Sequence, residues 1–147
     1  MNRFKQPVSV LVVIYTSNLE VLLIERAKHP GFWQSVTGSR EGDEALIETA
    51  VREVFEETGI ASNSEAIDDW GMTNRFEIFP EWRNRYAPGV TENEEHVFGL
   101  QLPSIPDIKL SPEEHRAYQW LPFKKAAERC FSWSNRDAIL MLRERSA

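Results

Sequence analysis

Apolar residues run almost unbroken through Val8-Ser9-Val10-Leu11-Val12-Val13-Ile14-Tyr15. A strand with one wet face alternates, so a nearly continuous β-branched run predicts a strand covered on both faces. Thr16-Ser17-Asn18 supplies turn-forming side chains before a second predicted strand, Glu20 to Glu25, and the two form a hairpin in a sheet interior. From His29 to Glu44, Pro30, Gly31, Gly38 and Gly42 interrupt any period, which predicts a loop holding one short extended piece, Gln34 to Thr37. The period then changes. Glu44 to Thr58 has neither Gly nor Pro and places Leu46, Ala50 and Val54 with Ile47 and Val51 at helical spacing. It stops at Gly59, a residue suited to the left-handed position after a helix.

Further strands are predicted at Asp69 to Phe79 and Glu95 to Leu102, separated by a polar stretch around Arg85-Tyr86-Ala87-Pro88-Gly89-Val90 that is long enough to be a functional loop. Tyr118 to Leu121 reads as a short strand and Phe123 to Arg129 as a helix after Pro122. Ser134 is a candidate cap for a last amphipathic helix reaching about Glu144. Strands and helices are interspersed throughout, and no repeat or linker divides the chain. Its 147 residues therefore fit one α/β domain spanning 1–147.

Charge narrows the partners. A formal net charge of −6 disfavours a nucleic-acid polymer, whose binding rests on a Lys/Arg surplus. An acidic protein acting on a small phosphorylated molecule has to recruit its own cations, which points to a metal. The single Cys130 excludes an internal disulfide and reads as a buried apolar filler. The apolar run at Val8 is too short for a membrane span and does not open the chain, so the expectation is a cytoplasmic protein with no membrane partner.

The chemistry concentrates in Arg52-Glu53-Val54-Phe55-Glu56-Glu57-Thr58-Gly59-Ile60. On a helix Glu53, Glu56 and Glu57 stand at i, i+3 and i+4, so their carboxylates share a face and repel by roughly 0.2–0.5 kcal/mol per pair unless a cation lies among them. Hard oxygen ligands suit Mg²⁺, with Mn²⁺ as a substitute, better than zinc. Glu-rich faces are often merely solvated, but the flanking residues are specific. Gly38, then Glu44 after five residues, then Arg52 after seven more complete a pattern that resembles the Nudix box across residues 38–60, with Val54 and Ile60 at its aliphatic positions.

The resemblance to the Nudix family implies an α/β/α sandwich with a central mixed sheet, in which the box forms the catalytic floor. It implies Glu53 and Glu57 as metal ligands, with Glu56 either a ligand or a neighbour of one. Arg52 orients a catalytic carboxylate, and Glu44 supports the helix start and the metal's water network. The implied reaction is attack of water on a phosphorus of a diphosphate linkage, with Glu53, Glu56 or a residue outside the box as base. Gly38 lets the backbone come close to metal or phosphate.

Other segments resemble the bacterial members of that family that cleave a pterin triphosphate in folate synthesis. They are Phe32 to Ser39, Arg85 to Val90, Glu114-His115 with Trp120-Leu121, and Ser132 to Arg136. By that likeness Lys5 and Arg26 become triphosphate contacts and Thr37 lies near the substrate. Phe76, Glu77, Ile78 and Phe79 line the pterin pocket, and Ser132 closes it. Glu114 is a further metal ligand or the base, while His115 is equally a structural histidine. Trp33, Tyr86 and Trp133 are able to stack on a flat heterocycle. A general nucleoside triphosphate substrate is the alternative within the family, and a ligand-binding module without catalysis is the alternative outside it.

Overall fold

The layering follows from the alternation of β1 (Val8–Thr16). Val10, Val12 and Ile14 point to one face and pack with Val36, Phe98 and Leu100 against Ala50 and Val54 of α1 (Leu46–Thr58). Leu11, Val13 and Tyr15 point to the other. There they meet Ala126 and Ala127 of α2 (Phe123–Arg129) and Ala138 and Ile139 of α3 (Trp133–Leu140). With about 1.5–3 kcal/mol for each fully buried Val, Leu or Ile side chain, two such cores are what hold the sandwich together. The computed structural model describes residues 4–145.

The mixed sheet runs β3-β2-β1-β6-β5, with β4 also on β1 and β7 also on β2. The remaining strands are β2 (Glu20–Arg26), β3 (Trp33–Gln34), β4 (Val36–Ser39), β5 (Ile67–Glu77), β6 (Glu92–Leu102) and β7 (His115–Pro122). β1 and β6 are parallel over their whole pairing, Val8↔Glu94 to Thr16↔Leu102. The expected hairpin exists but is splayed. β1 and β2 pair only at Tyr15↔Val21, and the chain after β2 enters the gap, β3 bonding β2 and β4 bonding β1 from Ser9↔Ser39 to Val12↔Val36. The single extended piece predicted at Gln34 to Thr37 is therefore two strands that change partners at buried Ser35, whose N–H donates to Asn135 Oδ1 at 2.9 Å.

Several boundaries differ from the predicted ones, each for a local reason. α1 starts at Leu46 rather than Glu44, because Glu44 is drawn into an ion pair with Arg52, and the Glu48 side chain accepts the Ala45 N–H at 2.8 Å instead. Gly59, at φ 77°, ends the helix as expected. β5 stops at Glu77 because Pro80 opens a 3-10 turn, Pro80–Arg85. The last helix is capped by Ser132, not Ser134, and breaks after Leu140 before a short α4 (Leu142–Arg145). Ser134 lies inside the first turn of α3 and is buried. Cys130 is partly buried and donates to the Ala126 carbonyl, and burial pushes its thiol up to about 12. Among the described residues no helix is long and apolar enough to cross a membrane.

Candidate active site

The carboxylates of α1 do not act as one group. A turn of 3.6 residues brings Glu53 and Glu57 to the face that meets β4, where both are buried, and leaves Glu56 exposed on the flank. The picture of three acids converging is thus corrected to a buried pair with Glu56 outside it. Gly38 explains how Glu53 fits: a Cβ at position 38 would overlap the Glu53 carboxylate. Burial pushes the Glu53 carboxyl up to about 7; Arg52 opposes that rise and Glu56, Glu114 and Glu41 add to it.

Arg52 is the hub of the flank. Its Nε and Nη2 donate to the two oxygens of Glu44 at 2.8 and 2.9 Å, and Nη2 also donates to the Ser39 carbonyl at 3.0 Å. Nη1 reaches Glu56 at 3.3 Å and Glu53 at 3.4 Å. Its paired hydrogen bond holds the Glu44 carboxyl down at about 2, helped by the Glu41 N–H and the Thr49 hydroxyl. A two-bond fork of this kind fixes direction as well as distance, so Arg52 ties the loop after β4 to the helix and sets where the Glu53 and Glu56 oxygens stand.

Glu57 lies deepest. Burial, then Glu53 and Glu114, raise its carboxyl well above the usual range, against the Thr37 backbone amide and Arg26, and its Oε1 has no hydrogen-bond partner. Glu114, held in a turn by its N–H on the Ser111 carbonyl, comes from the loop before β7. Glu57, Glu114 and His115 each offer one ligand atom, all within 4.8 Å of one another. Buried like-charged oxygens with an unpaired lone pair are unfavourable alone and favourable around a divalent cation. The donor set is therefore one that fits a hard metal ion. Burial, and secondarily Arg26, pulls His115 down to about 4, so its ring is neutral and its unpartnered Nδ1 is able to accept or ligate.

Cations border the cluster. The Lys5 ammonium is lowered by desolvation and by Arg85 and Arg26, and held up by Glu53 and Glu57, although the residue as a whole is exposed. Arg26 lies over the Trp82 ring at 4.7 Å, and its Nε donates to Gln34 Oε1 at 2.9 Å. Gln34 in turn donates to the Thr37 hydroxyl at 3.2 Å. Buried Gln34 thus links two expected substrate residues, and its polarity within a predicted strand was the available signal for it.

The other expected residues scatter. Phe76 meets Trp133 edge to face on the α3 side of the sheet. Ile78 is buried and Glu77 is exposed near Arg83. Phe79 leans on Trp82 and Phe131. The Ser132 hydroxyl accepts from Asn135 Nδ2 at 2.8 Å. Trp33 packs in the α2–α3 core under Arg129, and Tyr86 lies near Lys5.

A buried carboxylate pair on the helix after a glycine loop, in a mixed sheet between helix layers, defines a class, and the chain belongs to the Nudix family. The NUDIX domain model matches residues 5–142. The chain is a Nudix hydrolase, and members of that class use divalent metal ions.

Among individual proteins, it is 48% identical over 139 residues to the dihydroneopterin triphosphate diphosphatase of Escherichia coli K12, covering 92% of this chain and 91% of that one. It is 42% identical to the Haemophilus influenzae enzyme of the same name, over 95% and 89% of the two chains. The solved structure of the E. coli dihydroneopterin triphosphate pyrophosphohydrolase superimposes with a TM-score of 0.89 at 46% identity, covering 98% of this chain and 99% of that one.

Proposed function

We propose that the chain is a cytoplasmic, magnesium-dependent pyrophosphohydrolase that converts dihydroneopterin triphosphate and water to dihydroneopterin monophosphate and pyrophosphate, a step of folate synthesis. The observation that carries the substrate is the 48% identity, over nearly the full length of both proteins, to an enzyme bearing that name. The orphaned, buried Glu57 oxygen beside Glu53 and Glu114 supports the metal.

In this reading Glu53, Glu57 and Glu114 hold Mg²⁺, with Mn²⁺ able to replace it. Glu56 contributes from the exposed flank, where Arg52 restrains it. A bound divalent cation supplies charge stabilisation at the phosphates and favours hydroxide over water as the nucleophile at neutral pH. Lys5 and Arg26 take the negative charge of the outer phosphates, which relieves the repulsion that Arg85 exerts on both cations. Arg52 is a positioning residue, since its hydrogen bonds and ion pairs among the described residues go to Glu44, Glu53, Glu56, Glu41 and the Ser39 carbonyl. Thr37, Phe76 to Phe79 and Ser132 frame the path to the heterocycle.

Turnover of dihydroneopterin triphosphate, dATP and 8-oxo-dGTP measured in parallel with Mg²⁺ tests the reading. The pterin should lead in kcat/KM by about tenfold or more. A nucleotide ahead by that margin would replace it with a general nucleoside triphosphate pyrophosphohydrolase.

A further inference from the structure

The sheet carries a second set of buried polar groups that the carboxylate cluster does not use. On the α3 face the apolar alternation of β1 and β6 stops at one end. Leu11 and Val97 belong to the core, yet the next inward positions are Ser9 on β1 and Glu95 and then Asn93 on β6, all buried. Ser9 pairs with Glu95, Asn74 with Glu95, and Phe76 with Asn93, so these side chains form one patch across three strands. Buried Ser134 approaches Glu95 from α3, and Phe76 and Trp133 meet at 6.5 Å across the same gap between sheet and helix.

Glu95 is only 3% exposed and makes no ion pair among the described residues; the Ser134 and Asn74 side chains stand against its carboxyl, yet its Oε1, like the Asn74 Nδ2 beside it, has no hydrogen-bond partner. The neighbouring Asn93 Oδ1 is also unpartnered, while its amide Nδ2 donates to the Ser9 hydroxyl at 2.8 Å. Unpaired buried acceptors are destabilising and uncommon in native proteins, and a ligand that brings the missing donors accounts for them. The place is right for one end of an elongated substrate. β4 separates the two sites: the Thr37 amide meets Glu57, while the Thr37 side chain shares the α3 face with Leu11, its register partner.

We propose that Glu95 is the floor of the heterocycle subsite and that its carboxylate accepts two adjacent N–H donors, the ring N3–H and the 2-amino group, of a 2-amino-4-oxopyrimidine edge such as a pterin's. The N–C–N fragment of that edge presents parallel donors as a guanidinium does, which a carboxylate meets with both oxygens. An adenine edge sets an acceptor beside its single amino donor and cannot make the pair. Phe76 and the 45%-exposed Trp133, in edge-to-face contact beside this floor, are the aromatic rings placed to pack against the heterocycle. This inference rests on the pterin reading and deepens it.

Neopterin, which carries no phosphate, isolates the ring from the metal site. Its affinity, and that of its analogue lacking the 2-amino group, should be measured by calorimetry with the wild type, Glu95→Gln and Glu95→Asp. The wild type should prefer neopterin by about tenfold or more, and Glu95→Gln should shrink that preference to within about twofold while still binding the analogue. Equal weakening of both ligands means a merely structural role and overturns the assignment, as does a wild type with no preference or no binding. If Glu95→Gln does not fold, Glu95→Asp decides: a reduced preference supports the subsite and an unchanged one overturns it. The two readings separate cleanly. Loss of the preference in a protein that hydrolyses dATP best would keep the subsite and remove the substrate, and an unchanged preference in a protein that hydrolyses the pterin triphosphate best would do the reverse.

Discussion

Glu57 concentrates the conflict between folding and chemistry. Its carboxylate is disfavoured by burial and by Glu53 and Glu114, so a neutral isostere should relieve the metal-free protein while disabling the enzyme. Glu57→Gln is expected to lower kcat by roughly a hundredfold and to raise the melting temperature in EDTA by a few degrees. Turnover near the wild-type level would remove Glu57 from the metal site.

The titrations of Glu53 and Glu95 give a pH signature of the same kind. For an acid held at about 7 in the fold against an ordinary 4.5, the native state binds the proton more tightly. The stability this confers is fully present below 4.5 and is lost as pH rises through about 7, on the order of 3 kcal/mol for a full shift. His115, lowered to about 4, acts in the opposite sense between 6.5 and 4, and Glu44, at about 2, loses its contribution as pH falls from 4.5 through that value. Metal-free urea midpoints should therefore fall between pH 5 and pH 8, and a rise would refute the assignment of the raised carboxyls.

At the level of elements, the box helix was legible because its apolar spacing, its glycine stop and its acidic positions agree along one contiguous stretch. The start shifted by two residues because Arg52, eight positions away, takes Glu44 out of the helix. β6 was less legible. Glu92, Asn93 and Glu94 look like a solvated lead-in, yet they are strand, and Asn93 and Glu95 face inward, where pattern reading expects apolar side chains. The splayed hairpin was not legible at all, since the insertion of β3 and β4 is a matter of pairing at a distance rather than of local spacing.

Two substitutions test these elements. Ser132→Ala removes the cap of α3 and should lower stability by about 1 kcal/mol in urea titration. Gly99→Ala places a Cβ against the Trp70 indole, and overpacking of that kind should lower stability by about 1–3 kcal/mol. A neutral result for Gly99→Ala would mean that Trp70 has room to move aside.

For the molecule as a whole, metal binding and folding are linked through the same buried carboxyls. Mg²⁺ should raise the melting temperature more at pH 8 than at pH 6, because the ligands have to be ionised before a cation takes them. Equal increments at both values would show that the stabilising site lies elsewhere. The class and reaction could be read from residues 38–60 alone, but the site also draws Lys5, Arg26 and Glu114 from strands and loops that only the sheet brings together.

The parallel pairing of β1 with β6 bears on how the chain emerges from the ribosome. Val8 finds its neighbour Glu94 only after roughly 85 further residues, which at about 5–20 residues per second is several seconds of translation. Through that interval the oily segment Val10–Ile14 has no lasting mate along one edge. A nascent chain halted before residue 92 should leave this segment open to an apolar-surface probe dye, and the signal should fall once β6 has been made.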